Sequence, residues 1–144
     1  MTTHVEAVDA MYGIFNSVWG SGASPIVGYL PIVEFDDVPI DSLDSLTDVF
    51  ARVTSTDTAG RQITMGQGAE RETLGIMIIR VFTPKHVSYV GIGRQLGQLV
   101  QKAFTAAGAS GPVIYKNVYV STPSPDDRWR QFVVFVDYEY TQTI

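Results

Sequence analysis

Apolar residues recur along the chain at two spacings, one typical of helices and the other typical of strands. Residues 3–19 place an apolar stripe at steps of three and four, which predicts an amphipathic helix with Val5, Val8, Met11, Phe15 and Val18 on its buried side. The run Gly20-Ser21-Gly22 predicts the end of that helix. Residues 89–107 place apolar side chains on one helical face, which predicts a second amphipathic helix. Gly108 follows at the position where a left-handed cap is needed, so the helix is predicted to end there.

Five further segments have the alternation or the β-branched composition of strands, and they cover residues 32–35, 49–56, 72–82, 113–120 and 130–140. The third is apolar on both faces, which predicts a central strand covered on two sides by helices or by another subunit. In the last, Tyr138 and Tyr140 suit either the core or an interface. The order αβββαββ predicts one α+β domain over 1–144, with a mainly antiparallel or mixed sheet of about five strands packed by two helices.

Residues 57–70 interrupt this pattern. The segment is polar, contains three glycines and has no sustained alternation, so it predicts a long mobile loop. Long loops without structure of their own are usually functional or disordered, which makes this segment the first place to look for a partner-dependent contact. The candidate contact residues are Arg61 and Met65 within the loop and Arg71 directly after it.

Composition narrows the class of protein. The chain has 144 residues, of which 45% are hydrophobic and 17% charged, and this describes one domain with enough chain to bury a core. Cysteine is absent, which excludes disulfides, thiolate zinc sites and cysteine nucleophiles. The net charge of −5 argues against a general nucleic-acid binder, because such domains carry a surplus of basic residues.

Charge is distributed unevenly along the chain. Residues 1–57 contain nine acidic residues and one basic residue, a balance of −8, whereas residues 58–144 contain nine basic and six acidic residues, a balance of +3. Such a chain can present an acidic and a basic surface to copies of itself. The alternative is ordinary solvation of two surfaces, and the role of the acidic segment 34–57 stays open at this stage.

Candidate chemistry is sparse. The histidines, His4 and His86, provide no metal triad, and His86 with Ser88 matches no catalytic spacing. The glycines of 91–97 depart from the dinucleotide-binding spacing and fit a helix N-terminus with small packing residues. The sequence therefore predicts no catalytic, cofactor-binding or metal-binding residue and no enzyme. It also predicts no secretion signal and no membrane span.

The final strand is preceded by Arg128-Trp129-Arg130, which completes the set of candidate contact residues. An amphipathic tryptophan between two arginines can contact an acidic partner or stack on a base. Opening a strand with tryptophan is commonplace, so sequence-specific nucleic-acid binding is not expected.

The chain resembles, at the level of pattern, the small tail terminator (tail completion) proteins of long-tailed bacteriophages. The resemblance covers 3–141 in outline and 72–141 in identifiable motif. It rests on the runs Arg71-Glu72-Thr73-Leu74-Gly75, Arg80-Val81-Phe82-Thr83-Pro84 and Asp126-Asp127-Arg128-Trp129-Arg130, together with a helix ending in Phe104 and the segment from Val113 to Pro123.

The resemblance implies a structural virion protein without catalytic residues or cofactors. Its copies would form a ring, typically a hexamer, that caps the tail tube, stops tube polymerisation and offers a docking surface to the head connector. The implied partners are the protein itself, the tail tube protein and the head–tail connector, and the ring lumen is a potential passage for genome DNA. The implied location is the head-proximal end of the virion tail, after assembly in the host cytoplasm.

Two other functions remain open from the sequence. One is a head-side neck or head-completion connector, which shares the small α/β build and the ring. The other is a small-ligand-binding module or an enzyme, because a pocket formed by residues distant in sequence cannot be recognised from sequence patterns.

Overall fold

Two helices and five strands follow one another in the order that the sequence predicts. A computed structural model describes residues 3–28, 31–35, 49–62, 70–84, 90–108, 112–121 and 129–143. The elements are α1 (His4–Val27), β1 (Ile32–Phe35), β2 (Phe50–Gln62), β3 (Glu70–Pro84), α2 (Val90–Ala107), β4 (Ile114–Ser121) and β5 (Trp129–Thr143).

The strands form one mixed sheet in the order β1-β2-β3-β5-β4. The pair β1 and β2 is parallel, and the other neighbouring strands are antiparallel. The predicted α+β class and the central place of β3 are confirmed. Both neighbours of β3 pair with it over most of its length, so β3 fixes the register of the whole sheet.

Helix α1 is longer than the sequence predicts. Gly20 and Gly22 lie inside the helix, and the chain turns out of it at Gly28, which has a φ of 96°. A methyl group at Gly22 would lie 2.8 Å from Leu99 Cδ1 of α2, so the missing side chain lets the two helices approach closely. Pro25 stands in the last turn, where it removes a backbone hydrogen bond without interrupting a longer helix.

The core lies between the helices and one face of the sheet. The buried positions of α1 recur at steps of four, so the stripe is rotated from the predicted one and Val5 is 66% exposed. From α1 the core takes Ala7, Met11, Phe15, Trp19 and Ala23. Tyr138 and Tyr140 are buried on the same side, which assigns them to the core. Gly93 of α2 acts as a packing residue, because a side chain there would collide with the Phe132 ring.

The opposite face of the sheet is less buried than the face that packs on the helices. Odd-numbered residues of β3 from Thr73 to Val81 are buried, whereas Ile76 and Ile78 are only half-buried and Leu74 is exposed. Both helices pack on the odd-numbered side, and across the ranges that the structure describes no helix covers the other side. In the described part of the chain helices therefore cover one side of β3, and cover of the other side by another subunit stays a prediction.

The predicted loop over 57–70 is also wrong at its ends. Residues 57–62 belong to β2 and residue 70 begins β3, while 63–69 lie outside the described residues. The register of β2 against β3 shifts between Asp57 and Ala59, which leaves Thr58 as an extra residue. A bulge reverses the alternation of side chains beyond it. The strand pattern of this segment is therefore broken in the sequence although the strand continues.

Candidate interaction surfaces

The candidate contact residues are divided between the two ends of the sheet. Arg71 lies near the start of β3 and pairs with Gln142, whereas Trp129 and Arg130 pair with Pro84 and Thr83 at the end of β3. The backbone of Arg61 lies in β2 opposite Glu72, and Met65 and Arg128 lie outside the described residues. The two groups are separated by about 40 Å, from a strand rise of about 3.3 Å per residue.

The Arg71 end carries an open cleft of about 540 Å³. Its walls come from α1, β2 and β3, and they include His4, Asp57 and Arg71. The guanidinium of Arg71 lies over Gly60, where a methyl group would be 2.8 Å from Arg71 Nε. Gly60 therefore lets a cationic side chain lie flat against β2 while remaining exposed.

A hydrogen-bonded cluster forms the base of this cleft. The Tyr138 hydroxyl donates to Asp57 Oδ1 at 2.7 Å, and the Tyr140 hydroxyl donates to Asp57 Oδ2 at 3.4 Å. His4 Nδ1 lies 2.8 Å from the Tyr140 hydroxyl and 3.5 Å from Asp57 Oδ2. His4 thus begins α1 with tertiary contacts instead of standing in a frayed terminus.

The tyrosines of the cluster are held in their neutral form. Burial raises the pKa of Tyr138 far above its usual range, and the hydrogen bond to the Asp57 carboxylate and its negative charge raise it further. Burial and Asp57 also raise the pKa of Tyr140. A carboxylate with two neutral phenols as donors is a stable arrangement, and it ties α1, β2 and β5 together.

Sequence reasoning missed this cluster because its members are far apart along the chain. One signal was available, since Gly75 stands in the middle of a strand that is otherwise apolar. A glycine inside a strand marks a place where another group comes close to the backbone. Here that group is the Tyr138 ring, which would collide with any side chain at Gly75.

The Trp129 end of the sheet is aromatic. The rings of Phe50 and Phe82 stack at 4.5 Å, and Trp129 lies edge-on to Phe50 at 5.0 Å. Arg52 stands over Phe82 with its guanidinium carbon 5.5 Å from the ring centroid, and its Nε donates to Glu34 Oε1 at 2.8 Å. Trp129 is therefore anchored by packing, and it contributes to a surface that faces away from the helices.

Between the two ends, the sheet face without helices carries apolar side chains on three neighbouring strands. We call this surface the open-face patch, and it consists of Leu74, Ile76, Ile78, Ile114, Tyr119 and Phe135. Three of these side chains are clearly exposed, at 36% for Leu74, 38% for Ile114 and 42% for Tyr119. The rings of Tyr119 and Phe135 stack at 5.0 Å.

The described residues contain neither a metal site nor a membrane-spanning helix. Within those ranges, no three histidine or acidic side chains are arranged to hold a metal ion. Neither described helix has an apolar stretch long enough to cross a bilayer.

Comparison with known proteins gives the fold and no function. No protein-family model matches the chain, and no curated protein sequence matches it. Among solved structures 15 chains match, and one of them, whose name states no activity, aligns over 93% of this chain and 94% of its own. The TM-score of that alignment is 0.60 at 11% sequence identity. This likeness shows that the α+β arrangement occurs elsewhere as a complete unit of similar length.

Proposed function

We propose that the protein is a structural subunit of a long-tailed bacteriophage, namely a tail terminator. Its copies form a ring that caps the tail tube at the head-proximal end, stops tube polymerisation and presents a docking surface to the head connector. The partners are other copies of the chain, the tube protein and the connector. In this function no substrate is transformed.

The observation that carries the proposal is the placement of unlike surfaces at opposite ends of one sheet. One end presents the exposed side chain of Arg71 above a polar cleft, and the other presents the half-buried Trp129, which packs on the buried Phe50 and Phe82 rings. A ring closes when one surface of a subunit binds a different surface of the next, so a ring subunit needs two such surfaces.

The proposal is tested by removing the protein from the phage. We expect tails that are overlong or uncapped, because nothing then stops tube growth. Tails of normal length that fail to join heads would overturn the proposal in favour of a head-side neck protein. Labelled protein should be seen at the head-proximal tip of purified tails in negative stain, and its absence from assembled particles would exclude any virion role.

A pair of variants tests whether the Arg71 end contributes to the ring. Arg71→Ala should reduce the fraction of tail ends that carry a ring, because it removes the exposed charge from the cleft. Lys102→Ala is the control, since Lys102 is an exposed cation on α2 that belongs to neither surface. Equal ring occupancy for the two variants would remove Arg71 from the interface.

A further inference from the structure

We infer that the open-face patch is a self-association surface, on which a second copy of the chain packs face to face about a two-fold axis. The axis lies in the plane of the interface, perpendicular to the strands, and passes through the row formed by Ile78, Phe135 and Tyr119. This dimer goes beyond the proposed ring and does not depend on it, because its central row lies on the sheet face between the two sheet ends.

The rows of paired residues give this axis an apolar centre. Ile78 pairs with Phe135, and Phe135 pairs with Tyr119, so the row crosses three strands without a charged side chain. A two-fold axis through the row places each of these residues opposite its own copy. Sheets that pack face to face in this way bury such rows in a layer about 10 Å thick.

The charges on either side of the central row are complementary under the same rotation. Arg80 lies one row to one side, paired with Val133, and Asp137 lies one row to the other side, paired with Ile76. Within one chain these two positions are about 13 Å apart along the strands, too far for an ion pair. The rotation exchanges the two rows, which brings Arg80 of each copy over the row that contains Asp137 of the other.

The size of the face matches what a stable dimer requires. Strands about 4.8 Å apart and outward-facing rows about 6.8 Å apart give each outward position roughly 33 Å², and because β1 and β4 are too short to fill five rows the face covers roughly 700 Å². Specific interfaces of standard size bury about 800 Å² on each partner. The single chain leaves Leu74, Ile114 and Tyr119 exposed on this face, and pairing would remove them from water.

The test is sedimentation of purified full-length protein at increasing concentration, with charge-reversed variants. Wild type should shift from monomer to dimer. Arg80→Glu and Asp137→Arg should each weaken self-association by about tenfold or more, because each places like charges opposite one another twice per dimer. Mixing the two variants should restore a heterodimer, since both cross-interface pairs are then opposite in sign.

The mixing experiment separates this inference from misfolding and from ring formation. A misfolded variant would not associate after mixing, and circular dichroism of each variant alone checks the fold. Wild type that stays monomeric throughout would overturn the inference and indicate that another part of the chain, or a partner, covers the patch. Single variants that dimerise as well as wild type, or fail to pair when mixed, would overturn the proposed axis. None of these outcomes bears on the length of tails in phage lacking the protein, which tests the ring separately.

Discussion

The Tyr138 hydroxyl on β5 donates a 2.7 Å hydrogen bond to Asp57 on β2, across the intervening strand β3. The residue that it crosses is Gly75, which pairs with Asp57 on one side and with Tyr138 on the other. Asp57, Gly75 and Tyr138 therefore form one row across three strands, with the ring lying over the glycine. This row joins the cleft at the Arg71 end to the hydrophobic core.

Gly75→Ala should destabilise the protein by about 2–4 kcal/mol, in the range of substitutions that overpack a core or break a buried network. The added methyl group would collide with the Tyr138 hydroxyl and lie 2.7 Å from the Thr56 carbonyl oxygen. Urea denaturation measures the effect. Gly91→Ala is the control, because it meets nothing within 4 Å on an exposed helix turn and should be neutral or stabilising.

Two tyrosine-to-phenylalanine variants should differ in their effect on the free energy of unfolding. Tyr138→Phe removes a donor to Asp57 and should lower the free energy of unfolding by about 1–2 kcal/mol. Tyr115→Phe should be neutral or stabilising, because the Tyr115 hydroxyl is buried with no hydrogen-bond partner among the described residues. Thermal or urea denaturation compares them, and equal losses would show that the Asp57 hydrogen bond contributes nothing beyond the ring.

Stability should decrease as the pH rises above about 10, where tyrosines of the unfolded chain lose their protons. Burial raises the pKa of both Tyr115 and Tyr138, so the folded chain keeps protons that the unfolded chain releases. Fewer protons bound to the unfolded state mean that stability falls with rising pH. Urea denaturation between pH 8 and pH 11 should show a shallower fall in Tyr138→Phe than in wild type. Parallel slopes would contradict the assignment of this effect to Tyr138.

Arg52→Lys should destabilise the protein by about 1 kcal/mol, although the charge is kept. Arg52 both donates to Glu34 on the edge strand β1 and stacks on Phe82, and a lysine ammonium cannot reproduce the planar contact. Arg94→Lys, on the exposed face of α2, is the matched control and should stay within about 0.5 kcal/mol of wild type. Equal stability of the two variants would mean that the Arg52 contacts make no net contribution.

The order and type of the elements could be predicted because helices and strands leave different periods in the sequence. What the sequence hid was the effect of tertiary contacts on single residues. Gly22 was predicted to end helix α1, whereas it allows the close contact of α1 with Leu99. The bulge at Thr58 interrupts the alternation of side chains in a strand that continues past it. Asp57 is hydrogen-bonded to tyrosines that follow it by 81 and 83 positions in the chain, and a local sequence pattern cannot predict contacts over such separations.

The bulge in β4 has a consequence for how copies of this chain meet. The register against β5 shifts between Tyr115 and Asn117. The residue between them, Lys116, forms an ion pair with Glu139. An outer strand that is kinked and carries a lysine is a poor template for endless strand-by-strand addition. At high protein concentration this outer strand discourages fibre growth, and it leaves the sheet face and the sheet ends as the places where closed assemblies can form.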